Sequence, residues 1–420
     1  MTTEEFVNII GYINTGIGVL LWLCIAYRFF YLAVPFFKKI PVPSKTVLHR
    51  YAILISARNE EQVIPHLLQS IAAQNYPREL ISVFVCADNC TDATAEVCRK
   101  AGATVYERFD TKMIGKGYAL NYLLGCIRRD FGWSGFDGFL VIDADNLLAE
   151  NYLTEMNRTF SQGYRVITSY RNTKNYGDNW ISSGYALWFL HEAKYLNYSR
   201  AALGTSCAVS GTGFLFSRDI LEKAGNWNFF LLTEDIEFTI WNVLDGETIG
   251  YCPRAVIYDE QPTSFRQSWR QRLRWAKGYI QVFRKYGTKL VWGMFRKKGF
   301  ACYDMAMSIL PAVILTALSL VLNTVSAVIT LAAGGNALPV IFMLAQTLAG
   351  SYGTMFLLGI LPLITEWKNI RAERGEKLLS LFTFPLFMMT YIPISFVSLF
   401  ARVEWKPIEH SRAMGIDELK

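Results

Sequence analysis

The sequence predicts an α/β domain with a mainly parallel sheet, joined to helices long enough to cross a membrane. Three observations carry this. Residues 41–300 alternate short apolar runs with stretches of helical spacing, the pattern of strands linked by helical crossovers. Outside that region, Val7 to Tyr27, Met305 to Thr365 and Leu378 to Ala401 carry no charged residue. The 420 residues are 52% hydrophobic and 18% charged, with mean hydropathy +0.21. That composition excludes disorder, which needs few apolar residues and high net charge. It also argues against a wholly soluble or a wholly embedded chain.

The elements follow in order. Val7 to Tyr27 is long enough to span about 30 Å of hydrocarbon as a helix. A secretory signal wants a basic start and a small-residue cleavage site. Here the chain opens Met1-Thr2-Thr3-Glu4-Glu5 and no A-x-A follows, so an uncleaved anchor over 1–40 is expected. Glu4 and Glu5 precede it and Arg28, Lys38 and Lys39 follow, which directs the next domain to the cytoplasm. Tyr51–Ser56 reads as a buried parallel strand. Val63, Leu67, Leu68 and Ile71 recur at helical spacing, and Asn75-Tyr76-Pro77 stops that helix. Ile81–Cys86 is the second strand, Ala93–Lys100 a helix, and Thr104–Tyr106 a brief third strand. Leu120, Leu123, Leu124 and Ile127 mark a further helix before the fourth strand, Gly138–Ile142. Ile236, Ile240, Val243 and Leu244 give another helix an apolar side.

Met305–Thr365 reads as a helical hairpin turning at Gly334-Gly335-Asn336. The charged stretch Glu366–Lys377 returns to the cytoplasm. Leu378–Ala401 is a further span, in which Pro385 and Pro393 permit a kink or a re-entrant path. The tail from Arg402 carries four acids and four bases, so charge leaves that span's orientation open. The expected units are therefore 1–40, a cytosolic domain 41–260, interface helices 261–301, spans 302–403 and a tail 404–420.

Net charge is +7, consistent with nucleic acid, a membrane surface or a phosphate-bearing substrate. The eight cysteines show no C-x-x-C spacing and no histidine completes a zinc set, so reduced core thiols are expected.

In open α/β sheets ligands sit at the carboxyl ends of the strands, and polar residues cluster there. Ala57-Arg58-Asn59-Glu60 follows the first strand and Asp88 ends the second. Asp143-Ala144-Asp145 follows the fourth. An acid-x-acid pair at that place suits a divalent cation held between protein and a diphosphate, although a solvated turn reads the same way. Asp88 fits a base or ribose contact or a dipole-favoured acid. Lys116, between Gly115 and Gly117, reads as a phosphate ligand or a surface lysine. Glu234 and Asp235 begin a helix, either as dipole complements or as an acid that deprotonates a hydroxyl. Gln271-Arg272-Leu273-Arg274-Trp275 lies in a basic segment interleaved with Trp269, Tyr279 and Phe283. It reads as an RNA-binding helix, an amphipathic helix on the membrane, or a diphosphate clamp beside an aromatic sugar platform.

In combination these motifs resemble the membrane-embedded, processive family 2 glycosyltransferases, which include cellulose, mixed-linkage glucan, chitin, hyaluronan and poly-N-acetylglucosamine synthases. The resemblance rests on Ala57-Arg58-Asn59-Glu60-Glu61, Asp88, Asp143-x-Asp145, Thr233-Glu234-Asp235 and Gln271-x-x-Arg274-Trp275, in that order, over residues 50–285. It implies a GT-A fold, Rossmann-like with a mainly parallel sheet, and inverting transfer from a UDP-sugar. Ala57, Glu60 and Asp88 would then hold the uridine. Asp143 would lie by the ribose and diphosphate, and Asp145, with Asp143, would bind Mg²⁺ or Mn²⁺. Gln271 and Arg274 would grip the diphosphate, Trp275 would stack on the acceptor sugar, and Asp235, beside Glu234, would be the general base; Lys116 is a further candidate for substrate binding on its own placement.

Departures narrow the choice. Hyaluronan-type enzymes carry Gly-Asp-Asp where this chain has Thr233-Glu234-Asp235. The gating loop and C-terminal regulatory domain of cellulose-type enzymes are not evident. The Thr-Glu-Asp and Gln-Arg-x-Arg-Trp forms lean toward UDP-glucose and β-glucan, with UDP-N-acetylglucosamine next. The expected partners are a UDP-sugar, a growing polysaccharide and the lipid bilayer of the cell membrane, with no nucleic acid. About four spans make a second copy or an accessory export subunit the expected completion of a channel. The alternatives are a glycolipid synthase adding one or a few sugars to a membrane lipid, and a transporter with a regulatory cytosolic domain. A transporter fits poorly with the charge-free stretch Met305–Thr365.

Overall fold

The computed structural model describes residues 3–41, 46–309, 311–334, 336, 338–406 and 412–419. Gly335 of the expected turn, and the stretches 42–45 and 407–411 of the expected linker and tail, lie outside them. Eight strands form one sheet: β1 Tyr51–Ala57, β2 Ile81–Asp88, β3 Thr104–Arg108, β4 Gly138–Asp143, β5 Leu147–Leu148, β6 Val166–Thr173, β7 Phe214–Ser217 and β8 Ile249–Asp259. Their order is β3-β2-β1-β4-β7-β6-β8-β5. β1 pairs in parallel with β2 and β4, β2 with β3, and β6 with β8. β7 runs antiparallel between β4 and β6, and β5 antiparallel to β8. This is the mixed, mainly parallel sheet of a GT-A domain. The first four strands fall where the apolar runs predict them.

Both faces are covered, because successive residues of β1 point to opposite sides. Tyr51, Ile53, Ile55 and Ala57 pack with Leu67 and Ile71 of the helix Ile64–Ala72. Ala52 and Leu54 pack with Leu120, Leu123, Leu124 and Ile127 of the helix Lys116–Asp130. In β8 the register against β6 jumps between Ser169 and Tyr170, so Pro253, Arg254 and Ala255 bulge out of the ladder. Pro253 has no N–H to donate, and a bulge is where a strand tolerates that.

Among the described residues, four helical segments are long and apolar enough to cross a membrane: Asn8–Phe37, Ile314–Ala332, Leu338–Thr365 and Arg374–Phe400. Helix is described over Gly299–Ile309, which buries Ala301, Cys302, Asp304 and Met305, and again from Pro311 to Ala332. The last span divides at Thr390 into Arg374–Met389 and Tyr391–Phe400. Pro393 cannot donate to the carbonyl one turn back, which accounts for the break.

One cluster binds sheet domain, first span and interface helix together. Arg200 donates to both carboxylate oxygens of Asp304, at 2.7 and 2.8 Å. Tyr27 and Tyr31 of the first span each donate to the same carboxylate at 2.8 Å. Arg200 and Asp304 are buried. A buried pair of this kind survives only when every lone pair is satisfied, as here.

Candidate active site

The carboxyl edge of β1, β2 and β4 opens into a cavity of about 810 Å³. All eleven residues singled out above line it. Two left-handed turns shape its wall beside β1 and β2. Asn59 (φ 58°) lies two residues past the end of β1 and Asn89 (φ 54°) directly follows β2, and asparagine is among the few residues that tolerate this conformation. Asn59 Oδ1 accepts from the Thr91 backbone N–H at 2.8 Å, and Asn89 Oδ1 from that of Asp110 at 2.9 Å. Ala57, Glu60 and Asp88 are held by these turns. Burial raises the Asp88 carboxyl above its ordinary range, and the Arg108 guanidinium, donating at 2.5 Å, opposes that rise.

Asp143 and Asp145 follow β4. Asp145 is buried and accepts from the Glu260 backbone at 3.0 Å and from Asn146 at 3.2 Å. Asp143 pairs with Lys116, whose ammonium also donates to the Gly211 carbonyl at 2.7 Å. Lys116 opens a helix, where its charge opposes the dipole. Burial pushes the ammonium toward neutrality, but Asp143 and then Glu234 outweigh it, so the lysine stays charged. Gly117 lets this helix start lie against the loop ahead of Glu234, because a Cβ there would sit 2.1 Å from the Phe229 carbonyl oxygen.

The two carboxylates offer hard oxygen ligands one residue apart. Among the described residues no group of three or more metal-capable side chains occurs. The fit is therefore to a cation that takes one or two protein carboxylates and completes its shell with phosphate oxygens and water, as Mg²⁺ does.

Glu234 and Asp235 begin the helix Glu234–Leu244. Burial raises both carboxyls, and the charge of Asp235 further resists ionisation of Glu234. Glu234 is pushed up to about 7, with Lys116 and Arg274 pulling the other way. The helix Phe265–Gly293 carries Gln271, Arg274 and Trp275 past these acids. Arg274 donates to the Leu232 carbonyl at 2.7 Å, and Gln281 accepts from the Leu232 N–H at 3.2 Å. Gly278 allows the approach, since a Cβ there would lie 2.6 Å from Thr233 side-chain atoms. Tyr185 and Phe189 pack against Trp275 at steep angles, with ring centroids 5.8 and 6.3 Å away. The amide oxygen of Gln271 is buried with no partner among the described residues.

Several contributors were not found from sequence. Glu237, fully buried, accepts from the backbone N–H groups of Phe230 and Leu231 at 3.0 Å and from Lys285 and Tyr286. It fixes the loop before Glu234. In sequence it reads as one more acid in a helix's first turn. The tail also returns: Trp405 and Lys406 line the cavity, and the Arg58 guanidinium lies 5.5 Å from the Trp405 ring centre. A lone tryptophan far along the chain gives no hint of this.

A GT-A sheet with an acid pair after β4 and buried acids facing a basic helix defines a nucleotide-sugar transferase scaffold. Residues 49–278 match the family described as glycosyltransferase like family 2, and the chain belongs to that family. It is 28% identical over 301 residues to the probable glycosyltransferase YdaM of Bacillus subtilis, covering 64% of this chain and 66% of YdaM. It is 26% identical to a beta-monoglucosyldiacylglycerol synthase of Nostoc, over 62% of this chain and 56% of that protein. It is 22% identical to a poly-beta-1,6-N-acetyl-D-glucosamine synthase of Staphylococcus epidermidis, over 66% and 65%. The matches thus span 56–66% of these relatives' lengths. The fold is similar to that of the mannosyltransferase PcManGT from Pyrobaculum calidifontis, solved with GDP-Man and Mn²⁺. The TM-score is 0.60 at 17% identity, over 95% of this chain and 99% of that one.

Proposed function

We propose that this chain is an inverting, processive β-glycosyltransferase. It would polymerise sugar from a UDP-sugar, glucose ahead of N-acetylglucosamine, on the cytoplasmic side and pass the product between its spans. One observation carries the reading: the cavity that holds Asp235 and Trp275 continues without interruption among the spans as far as Asn14 and Ser319. From Arg28 to Asn14 along the first helix is about 21 Å at 1.5 Å per residue. Thr347, Ser351 and Thr354 line this part at helical spacing. Each hydroxyl donates to the carbonyl four residues back at 2.8 Å. Their protons are satisfied when no ligand is bound, while their oxygens remain able to accept from passing sugar hydroxyls.

In this mechanism Ala57, Glu60 and Asp88 take the uridine. Lys116, Gln271 and Arg274 hold the diphosphate, where fixed positive charge favours the leaving group as it departs. Asp143 and Asp145 would hold Mg²⁺ or Mn²⁺, which when bound neutralises diphosphate charge. Trp275 stacks on the acceptor sugar, and Asp235 takes the proton from its attacking hydroxyl. Inversion needs a single in-line displacement, so one base is sufficient. A second reading, transfer of one or a few sugars to a membrane lipid, is favoured by the aliphatic lining of the same passage at Ile17, Leu21, Ile25 and Leu358.

Product analysis separates the two. Purified protein with a divalent cation and a panel of UDP-sugars is expected to make a high-mass β-linked polymer from one donor without added lipid. Trp275→Ala should lose polymer synthesis and keep UDP binding. Lipid carrying only one or two sugars would overturn the polymer reading.

A further inference from the structure

The helix that follows β6 changes character partway along. Trp180–His191 is α-helical, and Glu192–Asn197 winds as a π-helix before α-helix resumes. Single π turns cost stability and tend to sit at functional sites. This one begins where His191 and Glu192 reach the cavity wall. Neither residue belongs to the motifs that define the site above.

Two acceptor atoms beside this turn lack donors among the described residues. His191 is 4% exposed, and its Nδ1 is buried without a partner among the described residues. Its ring bonds the backbone of Leu358, and burial pushes its pKa down to about 3. The ring is therefore neutral at any working pH. The nitrogen bonded to the Leu358 backbone carries the proton, and Nδ1 is a bare acceptor. Asp259, which pairs with Arg171, has a second oxygen, Oδ1, that is also buried and unpartnered. Glu192 bonds Ser210, and Arg171 approaches the same serine at 3.3–3.4 Å. Burial raises the Glu192 carboxyl, and Arg171 opposes the rise. Trp188, which also lines the cavity, stacks on the His191 ring at 5.7 Å.

Buried acceptors without donors are costly unless a ligand supplies the donors. The diphosphate of a nucleotide sugar is fully ionised at neutral pH and has no protons to offer, whereas a sugar offers several hydroxyls. We propose that His191 and Glu192 form an acceptor-positioning site that takes hydroxyl groups of the sugar chain, where the catalytic cavity passes into the spans. Trp188 supplies an aromatic face beside it. This rests on the glycosyltransferase reading above and adds residues to it.

The test measures transfer to β-linked tetrasaccharides of glucose and of N-acetylglucosamine, alongside UDP affinity by calorimetry. His191→Phe keeps a ring on Trp188 but removes the lone pair. His191→Asn restores an acceptor near the Nδ1 position. Glu192→Ala removes the carboxylate. Losing one hydrogen bond to the acceptor is expected to raise its KM on the order of tenfold. His191→Phe and Glu192→Ala should show that rise with UDP affinity unchanged, and His191→Asn should recover part of it. Unchanged acceptor KM in both loss variants would overturn the proposal. So would equal loss of UDP affinity, which marks a merely structural role. If the wild type ignores both tetrasaccharides and glycosylates only lipid, the polymer reading falls. The same KM comparison with the glycosylated lipid as acceptor then decides the role of His191 and Glu192.

Discussion

Substituting Gly278 by alanine should separate the two halves of the catalytic centre. The added Cβ would lie 2.6 Å from Thr233 side-chain atoms, where ordinary contact begins at 3.4 Å. The helix carrying Gln271, Arg274 and Trp275 must therefore retreat about 0.8 Å from Thr233-Glu234-Asp235, unless the threonine gives way. Overpacking of this kind costs about 1–3 kcal/mol of stability, and a displacement near 1 Å in a reacting geometry costs on the order of 100-fold in rate. The expected result is a fall in kcat of that order in a radiolabelled-sugar assay, with a smaller change in UDP affinity. Gly375→Ala, where a Cβ meets nothing within 4 Å, serves as the control. Adding Thr233→Ser to Gly278→Ala removes one clashing methyl and should restore part of the loss, a coupling that a double-mutant cycle reads directly. Wild-type kcat in Gly278→Ala would show that the spacing of these two elements does not govern the chemistry.

Other outcomes follow from the same geometry. Asp235→Asn keeps the side chain's shape but cannot take a proton, so transfer should vanish while UDP binding stays near wild type. A chelator should stop activity and Mg²⁺ or Mn²⁺ restore it, whereas Asp145→Ala should resist rescue at ordinary metal concentrations. Indifference of the wild type to chelation would remove the metal from the mechanism. Glu234 and Asp235 hold protons to higher pH than ordinary carboxyls, and a base works only when ionised. As pH drops, activity should therefore begin to fall at a higher pH than an ordinary aspartate base would give. Lys116→Met should move that limb to higher pH, because the lysine's charge favours ionisation of both acids; a limb that stays in place or moves down would refute the coupling.

Legibility in the sequence followed the physics of each segment. β1, β2 and β4 are buried on both faces, so they read as unbroken apolar runs, and the acids at their ends are placed by the strands themselves. The later strands were harder. β6, Val166–Thr173, ends in Arg171-Asn172-Thr173, where Arg171 lines the cavity and Asn172 and Thr173 donate to the Asn369 and Asp259 carbonyls. β8 carries Pro253 and Arg254 in a bulge. The helix Trp180–His191 is buried nearly all round, so it lacks the polar stripe that marks a surface helix. Glu237 and His191 escaped notice for another reason. Glu237 caps backbone N–H groups six and seven residues before it, in a loop no motif marks, and His191 meets Leu358, 167 residues away.

The Arg200–Asp304 cluster imposes an order on assembly. The two residues lie 104 positions apart. At roughly 5–20 residues per second of synthesis, Asp304 reaches the ribosome's active site roughly 5–20 s after Arg200. Throughout that interval the guanidinium has no counter-charge, and sealing it from water would cost several kcal/mol. The hydroxyls of Tyr27 and Tyr31 on the first span likewise wait for that carboxylate, while Ser199 of the sheet domain can already donate to the Tyr31 carbonyl. Completion of this junction is thus a late step, keyed to translation of the helix Gly299–Ile309.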